Sequence, residues 1–126
     1  MADPPKITAL MCLPVFYNPD EHGHRKPVED RQFNVTAEEL TKEFGGCVVH
    51  NYREQPLAPR GFWWNSGVIY EDVLALIEVD IPDGGDARAW LRTYTREVLL
   101  ERFQQRAIYI KLVGPIETLE VSHEEI

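Results

Sequence analysis

Cysteine is scarce in this 126-residue chain: it has only Cys12 and Cys47, and neither belongs to a CxxC pair. That excludes a zinc ribbon and a disulfide-stapled scaffold, and both thiols are expected to be free and partly buried in a reducing compartment. Positive charge is also short, with 13 Lys and Arg against 21 Asp and Glu and a net charge of −8. A general nucleic-acid binder needs a clustered basic surface, so nucleic acid is not an expected partner. No apolar run approaches the ~18 residues of a membrane span, and the segment from Met1 to Lys6 lacks the basic and apolar parts of a secretion signal. The expectation is a cytoplasmic protein with no membrane partner. Phosphate-loop, dinucleotide and nucleophile-elbow signatures are absent as well. Gly45-Gly46 follows a helix rather than preceding one, and Ser66 sits in an Asn-Ser-Gly turn. No cofactor is expected.

What is present is the composition of one globular domain, with 44% hydrophobic and 27% charged residues. Residues 7–17 are continuously apolar and β-prone, and Pro14 places that strand at a sheet edge or breaks it. The polar stretch from Asn18 to Gln32 reads as a long loop. Thr36 and Glu39 have capping-box spacing, with Val35 and Leu40 as a hydrophobic staple, which predicts a short helix starting at Thr36. Gly45-Gly46 supplies its left-handed stop. A second strand is predicted over 47–53. Phe62, Trp63 and Trp64 then lead through the Asn65-Ser66-Gly67 turn into a long strand. From Val73 to Ile81 its odd positions are all apolar, whereas the even ones run Leu74, Leu76, Glu78, Asp80. Asp86 is placed to cap a second helix over 87–104, with Ala87, Trp90, Leu91, Tyr94 and Val98 on its inward stripe. A last strand over 107–113 is broken by Gly114-Pro115, and a short one over 116–121 precedes a polar tail. The order strand, helix, strand, strand, helix, strand is that of an α+β ferredoxin-like two-layer sandwich. Its antiparallel sheet would carry both helices on one face, in a single domain over 1–126.

The helix exit Phe44-Gly45-Gly46, the tryptophans before a glycine turn, and the run from Glu101 to Gln105 before the closing strand resemble a family of small bacterial proteins. That family has this ferredoxin-like fold and no known function, and its last helix likewise ends in an aromatic residue followed by glutamine. The similarity covers residues 33–113. It implies the fold and brings no catalytic residues with it.

Several residue groups carry candidate chemistry. His22 and His24, beside Asp20 and Glu21, are of the types that ligate zinc or manganese. They sit on a loop rather than a rigid element, so a metal-free, solvated loop is expected, with those two histidines as the alternative metal ligands. Glu78 and Asp80 share a strand face, where apolar walls would make them an acid/base pair. Arg88, Arg92 and Arg96 are spaced to form a row on the outer side of the second helix. Such a row can hold an anion, or can form salt bridges with Glu97 and Glu101.

Two surfaces are too apolar for solvent. The bare sheet face carries Leu74, Leu76, Tyr109 and one of Trp63 and Trp64, and Leu99, Leu100 and Phe103 share the outward face of the second helix with the arginine row, which leaves its last turns apolar all round. A homodimer is expected, joined through Trp63, Trp64, Leu74, Leu76, Leu99, Phe103 and Tyr109. The favoured reading is a module that binds a small ligand or a protein partner. The alternative is an enzyme of the dimeric α/β-barrel type, a lyase, isomerase or monooxygenase acting on a small organic molecule. Its catalytic groups would come from His50, Tyr52, Glu78, Asp80, Tyr109 and Lys111.

Overall fold

The strongest apolar alternation in the chain builds the centre of its sheet. In the computed structural model, which describes residues 5–50 and 60–123, β1 (Lys6–Pro14) runs antiparallel to β4 (Val68–Pro82). β5 (Tyr109–Ile116) pairs with the other side of β1. β2 (Val48–Val49) and β3 (Arg60–Asn65) both pair with the outer side of β4. The strand order is β2-β4-β1-β5, with β3 also on β4, and every pairing is antiparallel. Two helices complete an α+β fold. α1 spans Asp30–Phe44, and the second helix joins α2 (Gly85–Tyr94), a π-helical turn (Thr95–Leu99) and α3 (Leu100–Arg102). Among the described residues no helix is long and apolar enough to cross a membrane.

Ile7, Ala9, Met11 and Leu13 of β1 and Ala75, Ile77, Val79 and Ile81 of β4 are buried against Phe33 and Leu40 of α1 and Leu91 and Leu99 of the second helix. One face of the sheet therefore carries both helices. The alternating residues Thr8, Leu10, Cys12, Leu76, Glu78 and Asp80 point the other way and are half-buried. Pro14 neither breaks β1 nor marks an edge: β1 is central, and Pro14 is its last residue, opposite Leu74.

Helix α1 begins at Asp30, six residues before the predicted cap. Thr36 is fully buried in mid-helix, where its hydroxyl donates to the Gln32 carbonyl at 2.7 Å and accepts from Arg102 Nη1 at 2.8 Å. Phe33, Thr36 and Leu40 lie on one helical face and all three are buried, so packing against the core carries the helix past a local start signal. The loop before it is tied down. Phe16 bridges to Pro27, and Arg25 reaches the Tyr17 carbonyl at 3.0 Å and Asp72 at 3.1 Å.

The second helix departs from prediction in its phase. Its N-cap is Gly84, with Asp86 in the first turn, and the Leu100 N–H donates to the Thr95 carbonyl five residues back. That wide turn absorbs one extra residue, or about 100° of rotation. Leu99 thereby takes the inward place that a straight helix would give to Val98, and Phe103 follows it inward. Both are fully buried, and the Phe103 ring lies 5.2 Å from that of Phe33. The expectation that Leu99 and Phe103 face outward is corrected by this turn.

Elsewhere β4 starts at Val68 and forms a hairpin with β3 through Ser66 and Gly67, both at positive φ (51° and 83°), as a two-residue hairpin turn requires. Of the strand predicted over 47–53, Val48–Val49 is strand, and residues 51–53 lie outside the described residues. β5 continues through Gly114-Pro115 to Ile116, with a register shift beside Ile7. A Cβ on Gly114 would lie 2.6 Å from Ile7 Cγ2, so only glycine allows that approach. Residues 117–121 form no strand.

Candidate functional site

Register decides which candidate residues meet. Cys12 lies between Leu76 on β4 and Tyr109 on β5, Leu10 between Glu78 and Lys111, and Thr8 between Asp80 and Val113. Val48 is opposite Glu78, and the His50 N–H donates to the Leu76 carbonyl at 2.8 Å, which puts His50 on the same face. His50, Glu78, Asp80, Tyr109 and Lys111 thus share the sheet face away from the helices. Tyr52 lies outside the described residues.

A shared face is not yet an active site. His50 Nε2 stands 3.1 Å from Glu78 Oε1, and both side chains are half-exposed, so water solvates the pair. Asp80 accepts from the Thr8 hydroxyl at 2.8 Å. Glu78 and Asp80 line a cleft of about 350 Å³ together with Lys6, Phe44, Cys47 and Val48, a mixed polar and apolar lining rather than an apolar wall. Burial pushes the Cys12 thiol up, only partly offset by the Lys111 ammonium, and a thiol kept protonated is a poor nucleophile. Cys12 and Cys47 are both half-buried and unbridged.

The apolar part of this face is covered in part from within, around Leu74, while Val48, Tyr109 and Val113 on the same face stay exposed. The Trp63 indole folds back over Gly61 towards Leu74: a Cβ on Gly61 would sit 2.7 Å from Trp63 Cζ2 and 3.0 Å from Leu74 Cδ1. Trp63 Nε1 donates to Asp72 Oδ2 at 3.2 Å, and its ring meets that of Tyr109 at 5.6 Å. Leu74 is therefore buried, against the expectation of an exposed leucine, and Leu76 is half-buried.

The most exposed apolar cluster on the sheet lies at the far end of the β3–β4 hairpin. β1 ends opposite Leu74, and the Val15 N–H still donates to the Val73 carbonyl at 3.1 Å; beyond that point Val68–Asp72 have β3 as their one strand neighbour and project as an arm. Phe62, Trp64 and Ile69 share one side of it at 63%, 73% and 65% exposure, with Val68 and Tyr70 exposed on the other. Trp64 was expected as an anchor. Phe62, Ile69 and Tyr70 were not, although their near-symmetric placement about the Ser66-Gly67 turn is visible in the sequence.

The 18–29 loop and the arginine row complete the candidates. Asp20 Oδ1 accepts the backbone N–H of His22 and of His24, both at 2.9 Å, so the carboxylate shapes the turn while both imidazoles stay exposed. No group of three His, Cys, Asp or Glu side chains positioned to hold a metal ion occurs among the described residues. Arg88, Arg92 and Arg96 line a cavity of about 470 Å³ between the second helix and β5, together with Thr95, Ile110 and Leu112. Arg88 is held by Asp83 at 2.9 Å and by the Gly84 carbonyl at 3.3 Å. Glu97 and Glu101 form no ion pair with the row among the described residues. Sequence reasoning missed Thr95 and Leu112, because neither a helical threonine nor an edge-strand leucine carries a local signal. No protein-family model matches the sequence, and no curated protein matches it.

Proposed function

We propose that the chain is a homodimeric, cytoplasmic binding module of ferredoxin-like fold, joined through its β3–β4 arm. The observation that carries this reading is the arm itself, where Phe62, Trp64 and Ile69 stand largely exposed on one side of a hairpin that β1 does not support. Burying a large apolar side chain contributes about 1.5–3 kcal/mol. Three from each of two copies is commensurate with an association cost of about 4–15 kcal/mol. The strand order β2-β4-β1-β5 supports the ferredoxin-like assignment, and with it the resemblance to small bacterial proteins of that fold. Two unbridged cysteines suit a cytoplasmic setting. Sedimentation velocity at micromolar concentration tests the reading. The wild type is expected to sediment as a dimer and Trp64→Glu as a folded monomer. A monomeric wild type overturns it.

A second reading, the dimeric α/β-barrel-type enzyme, draws on His50, Glu78, Asp80, Tyr109 and Lys111 sharing one face. In that case a second copy must close over the open sheet face. Leu76→Glu would then dissociate the dimer while Trp64→Glu would not, the reverse of the pattern expected for the arm.

A further inference from the structure

We infer that the cavity between the second helix and β5 is a binding site for a small amphipathic organic anion, a carboxylate or phosphate head on an apolar body. This deepens the binding-module reading and rests on it, but not on the dimer.

The site is built from two chemically different walls. Ile110 pairs with Met11 and Leu112 with Ala9, so both point to the helix side of the sheet. Met11 and Ala9 are fully buried there, whereas Leu112, one strand further out, is 42% exposed. The second helix stops short of covering the edge strand, and the gap it leaves is floored by apolar side chains. At about 470 Å³ it falls within the roughly 300–1,000 Å³ range of small-molecule pockets.

The opposite wall is cationic. Arg88, Arg92 and Arg96 line the cavity, and only Arg88 has an acidic partner among the described residues. In a chain of net charge −8 this is a local reversal of sign, with two guanidinium forks left to recognise an oxyanion. An independent sign of an unfilled polar role is Thr95. It lines the same cavity, is 9% exposed, and its hydroxyl oxygen has no hydrogen-bond partner. Buried hydroxyls are nearly always paired. Thr95 opens the π-helical turn, so the irregularity that turns Phe103 inward also sets an unpaired donor beside Arg92 and Arg96. Bare phosphate would leave the apolar floor unused, and a neutral hydrocarbon would leave the guanidiniums unanswered. A ligand with both halves answers both walls.

Titration calorimetry of the full chain with octanoate, octyl phosphate, octanol and inorganic phosphate tests this. Octanoate or octyl phosphate is expected to bind one per chain, at least about tenfold more tightly than octanol or inorganic phosphate. Arg92→Gln/Arg96→Gln is expected to weaken that binding at least about tenfold, with the melting temperature showing whether it folds. Leu112→Glu, at an exposed edge position, is a second variant expected to abolish binding by repelling the head and removing the floor. Equal binding of octanoate and octanol, wild-type affinity in both variants, or no binding of either amphiphile overturns the inference. A monomer that binds octanoate removes the dimer and keeps the ligand class. A dimer that binds neither amphiphile does the opposite.

Discussion

The two ends of β4 are made of similar residues and live in different environments. From Leu74 to Ile81 the strand is paired with β1, and Ala75, Ile77, Val79 and Ile81 are buried beneath the helices. From Val68 to Val73 it has β3 as its neighbour, and Val68, Ile69 and Tyr70 are exposed. The β-prone residues at both ends suit a pleated surface, yet only one end is covered. The number of flanking strands, and whether a helix lies above, decides between core and arm. Propensity does not.

The largest expected effect tests that contrast inside one strand. Ile77→Ala should lose about 2–5 kcal/mol of unfolding free energy, because it opens a cavity in a fully packed layer. Ile69→Ala, measured on the same protein under dissociating conditions, should fall within about 0.5 kcal/mol of wild type. Equal losses in urea titrations would erase the distinction between the two ends.

An intermediate effect sharpens the contrast from the helix side. Above the covered half, Arg102 joins Glu39 at 2.6 Å and Thr36 at 2.8 Å, while the Tyr94 hydroxyl donates to Glu39 at 3.1 Å. Thr36→Val keeps the side-chain shape and removes the hydroxyl that Arg102 uses. It should cost about 1–3 kcal/mol by chemical denaturation. A loss of helix content confined to the start of α1 would point instead to a capping role.

The smallest effect is a dependence on pH. Burial, then the negative charge of Glu39, pushes the Tyr94 phenol up to about 12 from its usual 10.0. The folded state thus holds that proton more tightly than the unfolded chain. The contribution is fully present below pH 10 and is lost as pH rises towards 12. The stability difference between wild type and Tyr94→Phe should therefore change across that window and stay level below it. A constant difference would mean that Tyr94 titrates as it does in the unfolded chain.

Strands were readable wherever alternation ran long. Val73 to Ile81 announced its buried face, and that face is the core. The shared face of Glu78 and Asp80 was legible from strand parity, whereas the arrival of His50, Tyr109 and Lys111 on that face depends on the register of β2 and β5 against the central strands, which local sequence does not carry. Three features did not come through, each for a tertiary reason. The cap signal at Thr36 was outweighed by packing of Phe33. The exposure of Leu74 was cancelled by Trp63, which reaches it only once the hairpin has formed. The outward placement of Leu99 and Phe103 assumed an uninterrupted α-helix, and no residue type marks the wide turn that breaks it.

That wide turn gives the second helix two azimuthal settings on one axis, like a cam with an offset lobe. Its first half presents Arg88 and Arg92 to the groove beside β5. Its second half presents Arg102 and Phe103 to α1. The offset aims the end of the rod at α1, so that Phe103 closes on Phe33 and Arg102 on Thr36 and Glu39 where an unbroken helix would already have rotated past them.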